Sequence, residues 1–105
     1  MWQKSGSQNT LTYEKAQKYI EQLNREGFAG YSDWRLPTIS ELMSLLEPQK
    51  QTNGLYIDPI FDADQRWCWS ADKRSSGSAW GVGFLDGLVY WNLLYDDYYV
   101  RGVRS

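Results

Sequence analysis

An α+β domain follows from three features of the sequence. An apolar stripe at helical spacing lies near the N-terminus, a capping box opens a second helix, and short alternating segments separated by turns fill the last third. At 105 residues the chain forms a single domain, residues 1–105, too short for two independent cores. Six Trp, eight Tyr and three Phe supply large apolar area per residue, which suits a small fold rich in loops.

The first helix is expected from Tyr13 to Arg25. Thr12 is placed to cap it, Ala16, Tyr19, Ile20 and Leu23 recur on one face, and Gly27 ends it in a left-handed conformation. Glu14, Lys15, Lys18, Glu21 and Gln22 cover the solvent side. The second helix starts at the capping box Thr38-Ile-Ser-Glu41, in which the Thr38 hydroxyl and the Glu41 carboxylate each accept from the other residue's backbone N–H. Ile39, Leu42, Met43, Leu45 and Leu46 are its expected buried face, and Pro48 halts it. Between the helices, Arg35 lies among apolar residues and calls for a carboxylate partner, Glu41 or Asp33.

Glu47 to Arg66 reads as an irregular polar stretch pinned to the core by Tyr56, Ile57, Ile60 and Phe61. Asp58, Asp62 and Asp64 raise a calcium site. The spacing departs from the EF-hand pattern, with no glycine in the sixth place and no glutamate in the twelfth, so a hydrated loop is the better reading. Strands are expected at Trp67–Ser70, Ala79–Leu85, Leu88–Asn92 and Tyr98–Arg104, with a polar loop over Asp72–Ser78.

A two-residue Asp86-Gly87 turn sets the register of the hairpin, pairing Leu85 with Leu88, Gly83 with Tyr90 and Gly81 with Asn92. One face then carries Trp80, Val82, Phe84, Val89 and Trp91 and is expected to be core. The other carries Leu85, Leu88, Tyr90 and Asn92, with Gly81 and Gly83 leaving a shelf beside Tyr90. Either Leu85 and Leu88 tuck under the Asp72–Ser78 loop, or they form an exposed contact patch that continues through Leu93, Leu94, Tyr95, Asp96, Asp97 and Tyr98. Tyr and Asn beside small polar residues are the mix that antibody loops use on diverse surfaces.

Other functions find little material. The chain has no histidine and a single cysteine, Cys68, which removes His-based nucleophile activation, zinc sites of Cys and His, and any internal disulfide. Cys68, between Trp67 and Trp69, reads as a buried apolar residue. A net charge of −2 with mixed signs and no basic stripe argues against nucleic acid, and no apolar run reaches the ~20 residues that span a bilayer. The expectation is a non-catalytic domain that needs no cofactor or metal.

Several segments occur in the order found in one family: Trp2-Gln-Lys-Ser-Gly6, Trp34-Arg-Leu-Pro-Thr-Ile-Ser-Glu-Leu42, Tyr56-Ile-Asp-Pro-Ile-Phe61, Ala79-Trp-Gly-Val-Gly-Phe84 and the terminal Tyr99-Val-Arg-Gly-Val-Arg104. Together they resemble the domain at the C-terminus of the Legionella collagen-like adhesin. The resemblance implies a C-type-lectin-like fold. Many members carry one cysteine in the first helix and another between the last two arginines; here those regions hold Tyr19-Ile20 and Gly102. Of the lectin calcium motif only Trp91-Asn92 is present, and the catalytic cysteines of the similar formylglycine-generating enzymes have no counterpart.

One branch of this fold serves as the variable protein of diversity-generating retroelements, whose adenine-directed changes turn an Asn codon into Asp, Tyr, Leu, Ser or Gly but never Trp. Leu85, Leu88, Tyr90, Asn92 and the run Leu93–Tyr98 fall within that set, and Trp91 falls outside it.

The function expected is therefore recognition of a protein or glycan on a cell surface, by a diversified receptor-binding domain. A fixed-specificity adhesin domain with a glycan or matrix ligand is the alternative, and a homo-oligomer is compatible with both. An enzyme using Asp86, Asp96 and Asp97 is the third and weakest reading. No secretion signal precedes Trp2, which fits a cytoplasmic chain or a domain of a longer protein on a virion or bacterial surface.

Overall fold

The computed structural model describes residues 1–105. Helix α1 spans Tyr13–Glu26, with Thr12 accepting from the Lys15 N–H and Gly27 closing the helix at φ 64°. Its buried side is Tyr13, Ala16, Ile20 and Leu23; Tyr19, expected on that face, is half-buried against the core margin, and Tyr13 at the first helical position is buried in addition. A 3₁₀ turn, Phe28–Gly30, follows.

Helix α2, Ile39–Met43, is shorter than expected. The capping box forms, with Thr38 Oγ1 3.1 Å from the Glu41 N–H and Glu41 Oε1 2.8 Å from the Thr38 N–H. After Met43 the chain tightens into i→i−3 bonds at Leu45 and Leu46, which swings Leu45 and Leu46 toward the core and leaves Met43 in solvent. Arg35 takes Glu41 as its partner through two bonds of 2.6 and 2.8 Å, while Asp33 is held by Arg104.

The sheet has three antiparallel strands in the order β1-β2-β3: β1 Trp67–Ser75, β2 Ser78–Gly83 and β3 Leu88–Leu93. Three expectations change here. The strand expected to stop at Ser70 continues to Ser75 through two register irregularities, so Asp72–Ser75 is strand rather than loop. The hairpin pairs Gly83 with Leu88 and Gly81 with Tyr90, two residues away from the register of a two-residue turn. The cause is Phe84. It is fully buried, and its N–H and C=O are taken by Arg66 O and the Tyr56 N–H, so it cannot pair with Val89 and the connection lengthens to Phe84–Gly87.

The third change concerns Tyr98–Arg104, which is extended without being a strand of this sheet. Its backbone bonds in turn to Leu11, Trp67, Trp69, Ser7, Gln3 and Arg35, so the C-terminus is threaded between the N-terminal segment and β1.

Side chains alternate along β1 and β2, and both faces are packed. Trp69 and Ala79 join Tyr13, Ala16, Trp34, Tyr98 and Val100 on one side; Cys68, Val82 and Phe84 join Leu42, Leu55 and Ile57 on the other. Strand β3 receives neither core. Val89 and Trp91, expected inside, are exposed because nothing lies over this edge strand except Arg74, whose guanidinium stacks 4.0 Å from the Trp91 ring. Trp80 is half-buried, and Ile60, expected to pin its loop, is exposed.

Arg101 is fully buried. It donates to the carbonyls of Gln3, Lys4 and Asp62 and to Gln65 Oε1, tying the N-terminal segment to the loop before β1, and burial lowers its pKa. Gly102 donates its N–H to Gln3 Oε1 and lies against Ile20 and Leu23 of α1. No helix is long and apolar enough to cross a membrane.

Candidate functional site

The sheet face that carries Gly81 and Gly83 builds the site. Trp67 pairs across Gly83, and Tyr90 across Gly81, so both rings project from the same face. The glycines allow two aromatic rings to lie on the strands. A Cβ at Gly81 would stand 2.8 Å from the Tyr98 ring, and one at Gly83 would stand 3.0 Å from the Tyr90 ring. The shelf expected beside Tyr90 is thus occupied by Tyr98 and by Tyr90 itself.

Outside these rings opens a cleft of about 330 Å³. Trp67, Tyr90 and Tyr98 supply aromatic sides over Gly83, and Leu85, Asp86 and Asn92 complete it. The Tyr90 hydroxyl donates to the Asp86 carboxylate, and that bond raises the Tyr90 pKa. Asn92 Nδ2 donates to the Tyr98 hydroxyl at 2.8 Å. Beneath the cleft, Tyr98 stacks on Trp69 and Trp69 meets Tyr13 edge-on, so the aromatic wall is continuous with the core.

Four of the ten residues selected from the sequence meet here: Leu85, Tyr90, Asn92 and Tyr98. Tyr98 is only 8% exposed and acts chiefly as core. Leu88 is 54% exposed at the start of β3, outside the cleft, and Leu85 is 49% exposed, so neither is tucked under another segment. Leu93, Leu94 and Tyr95 belong to a second, wider depression of about 600 Å³ beside Thr12, Tyr13 and Lys73. There Tyr95 is 74% exposed, whereas Leu94 is half-buried against the core with its backbone bonded to Gly77 and Tyr13. Asp96 and Asp97 line neither depression, so of the three carboxylates considered for catalysis only Asp86 reaches the cleft.

Trp67 is a cleft residue that sequence reasoning passed over, whereas Gly83 belongs to the expected shelf and Asp86 is both the expected turn residue and a candidate carboxylate. Trp67 was legible in principle, since antiparallel alternation puts it on the face of Tyr90 once β1 is paired to β2.

Chemically the cleft offers stacking surfaces, one carboxylate, an amide and two phenol hydroxyls, a set that holds a sugar ring or an aromatic or aliphatic side chain. Cys68, on the opposite face, is fully buried and its thiol is pushed up to about 12. Asp58 and Asp62 each accept a backbone N–H two residues on, at Ile60 and Asp64.

The molecule is thus a small α+β domain whose edge strand carries an aromatic cleft. The model of one family, the Lcl C-terminal domain, matches residues 1–104, and the chain belongs to that family. Membership associates it with a surface or adhesin-associated role. No curated protein matches the chain at a significant level.

Proposed function

We propose that this is a non-catalytic recognition domain that binds a protein or glycan on a cell surface through the β3 hairpin. The observation that carries the reading is the concentration of exposed apolar and aromatic side chains there: Leu85 and Tyr90 line the cleft, and Leu88, Trp91, Leu93 and Tyr95 are exposed elsewhere along β3 and just after it. Rigid support with exposed rings limits the ordering cost of binding. The absence of catalysis is supported by the chain's lack of histidine, the burial of Cys68 and the engagement of Asp86 by Tyr90. In finer detail the fold is read as C-type-lectin-like, on the motifs Trp34–Leu42 and Tyr99–Arg104.

Two forms of this function differ in how specificity arises. A fixed-specificity adhesin domain is favoured by the family membership and by Trp91, which is 47% exposed although an Asn codon cannot reach it by adenine changes. A retroelement-diversified domain is the second form, favoured by exposure of Leu85, Leu88, Tyr90, Leu93 and Tyr95. DNA flanking the gene separates them, because diversification requires a near-copy of the Trp80–Ser105 codons differing only at adenines. Recognition itself is tested on glycan and matrix-protein arrays. Capture that disappears in Tyr90→Ala/Tyr95→Ala while thermal stability is kept supports the reading. Failure to capture, or steady turnover of a glycoside panel lost in Asp86→Asn, overturns it.

A further inference from the structure

The outer edge of β3 has a defined hydrogen-bonding phase. The Leu94 N–H donates to Gly77 O, which continues the ladder beyond Ser78↔Leu93 and makes Tyr90 and Asn92 the residues bonded to β2, while the Leu88 N–H at the start of the strand donates to Asp86 Oδ1. Val89 and Trp91 therefore direct both N–H and C=O away from β2. Leu93 directs its N–H the same way, while its carbonyl accepts from Asp96. This edge reads Leu-Val-Tyr-Trp-Asn-Leu, with no proline and no charge, and its side chains are largely exposed. Such an edge is a template for another strand unless it is blunted.

Charge decides what kind of strand fits. Asp86 precedes β3 and Asp96 and Asp97 follow it, so carboxylates stand at both ends. A second copy fits badly: the antiparallel register that pairs Trp91 with Trp91 and Val89 with Leu93 sets Asp86 of one copy against Asp96 of the other. Arg74, stacked on Trp91, holds a positive charge at mid-strand; Lys73 lies over the Tyr13 ring, and Glu14 is paired with Lys18.

From this arrangement we infer that β3 docks an extended peptide strand of about six residues, apolar at its centre and basic at both ends, by main-chain hydrogen bonds to Val89, Trp91 and Leu93. Because carboxylates flank β3 on both sides, the basic ends are satisfied in either strand direction. The inference rests on the recognition reading above and names its ligand class.

The test uses the whole chain and synthetic peptides. Lys-Val-Thr-Val-Ile-Val-Lys is titrated beside its Asp-flanked counterpart and beside a version N-methylated at the alternate residues that would bond β3. Expected results are a loss of roughly tenfold or more with Asp flanks, abolition by N-methylation, and slowed amide exchange at Val89, Trp91 and Leu93. Val89→Pro should keep the fold, since its N–H faces outward, and lose the peptide; Asn92→Pro, which removes an N–H aimed at β2, should break the β2–β3 pairing. Equal binding of both flanked peptides, retained binding of the N-methylated one, no binding, or β3-dependent self-association overturns the inference. A chain that captures array ligands through Tyr90 and Tyr95 yet ignores the peptide overturns this inference alone, whereas one that captures neither overturns both.

Discussion

The Tyr98 ring stacks on the Trp69 indole, centroids 4.7 Å apart and planes inclined by 28°, and it does so across the bare backbone of Gly81. One side chain thereby joins the core to the cleft: below, Tyr98 packs on Trp69; above, its hydroxyl accepts from Asn92. A methyl group at position 81 would lie 2.6 Å from Cys68 O and 2.8 Å from the Tyr98 ring. Gly81→Ala should therefore cost about 1–3 kcal/mol and lower the melting temperature, and it should disturb the cleft as well. Trp69→Ala removes the stack altogether, at roughly 3–5 kcal/mol. Thermal denaturation followed by near-ultraviolet circular dichroism reads both.

Side chains that serve only the surface should behave oppositely. Tyr95 contributes little to packing, and Tyr90 meets Asp86 in solvent, so Tyr90→Ala/Tyr95→Ala should stay within ~0.5 kcal/mol of the parent per site in urea unfolding. A loss as large as that of Trp69→Ala would show that these rings are structural.

Acid should weaken the link between α2 and the preceding loop that carries Arg35. Arg35 and the Thr38 N–H hold the Glu41 carboxyl well below its usual value, at about 2. A carboxylate depressed in the folded state contributes stability that is complete above its unfolded pKa of 4.5 and is lost as pH falls from there toward 2. The pair is partly exposed, which screens it to about 1 kcal/mol or less. Glu41→Gln should lower stability at pH 7 by a similar amount and flatten the slope between pH 5 and pH 2, as urea titrations across that range would record.

Arg101 is the substitution of greatest expected cost outside the aromatic core. Its guanidinium serves four acceptors on two segments while fully buried. Arg101→Leu leaves those carbonyls unpaired, a loss of at least about 3 kcal/mol, and Arg101→Lys cannot span them with one ammonium. Both should fail to reach the parent melting temperature, with proteolysis appearing first in the N-terminal segment.

Cys68 reports on global unfolding. Buried, with its thiol pushed up to about 12, it should resist a thiol reagent at pH 8 in the native protein and react at once in denaturant. Prompt native-state labelling would show that the face bearing Val82 and Phe84 opens.

Rules that act within a few residues are legible in the sequence by itself. Thr12 and Gly27 bracket α1, the Thr38–Glu41 box opens α2, and Val82 and Phe84 alternate into a core, because caps and periodicity are settled by neighbouring backbone and side chains. Alternation likewise sets Leu88 and Tyr90 opposite that core but leaves open whether Leu85 and Leu88 are covered or exposed. What the tertiary structure alone decided is where packing ends. Phe84, claimed by Arg66 and Tyr56, moved the hairpin register by two residues. The lack of any cover over β3 except Arg74 left Val89 and Trp91 exposed, and threading past Gln3, Ser7 and Leu11 made the C-terminal segment a bridging ribbon rather than a strand of the sheet. Each depends on partners tens of residues away in the chain, and a pattern of period two cannot say whether a second layer lies over it.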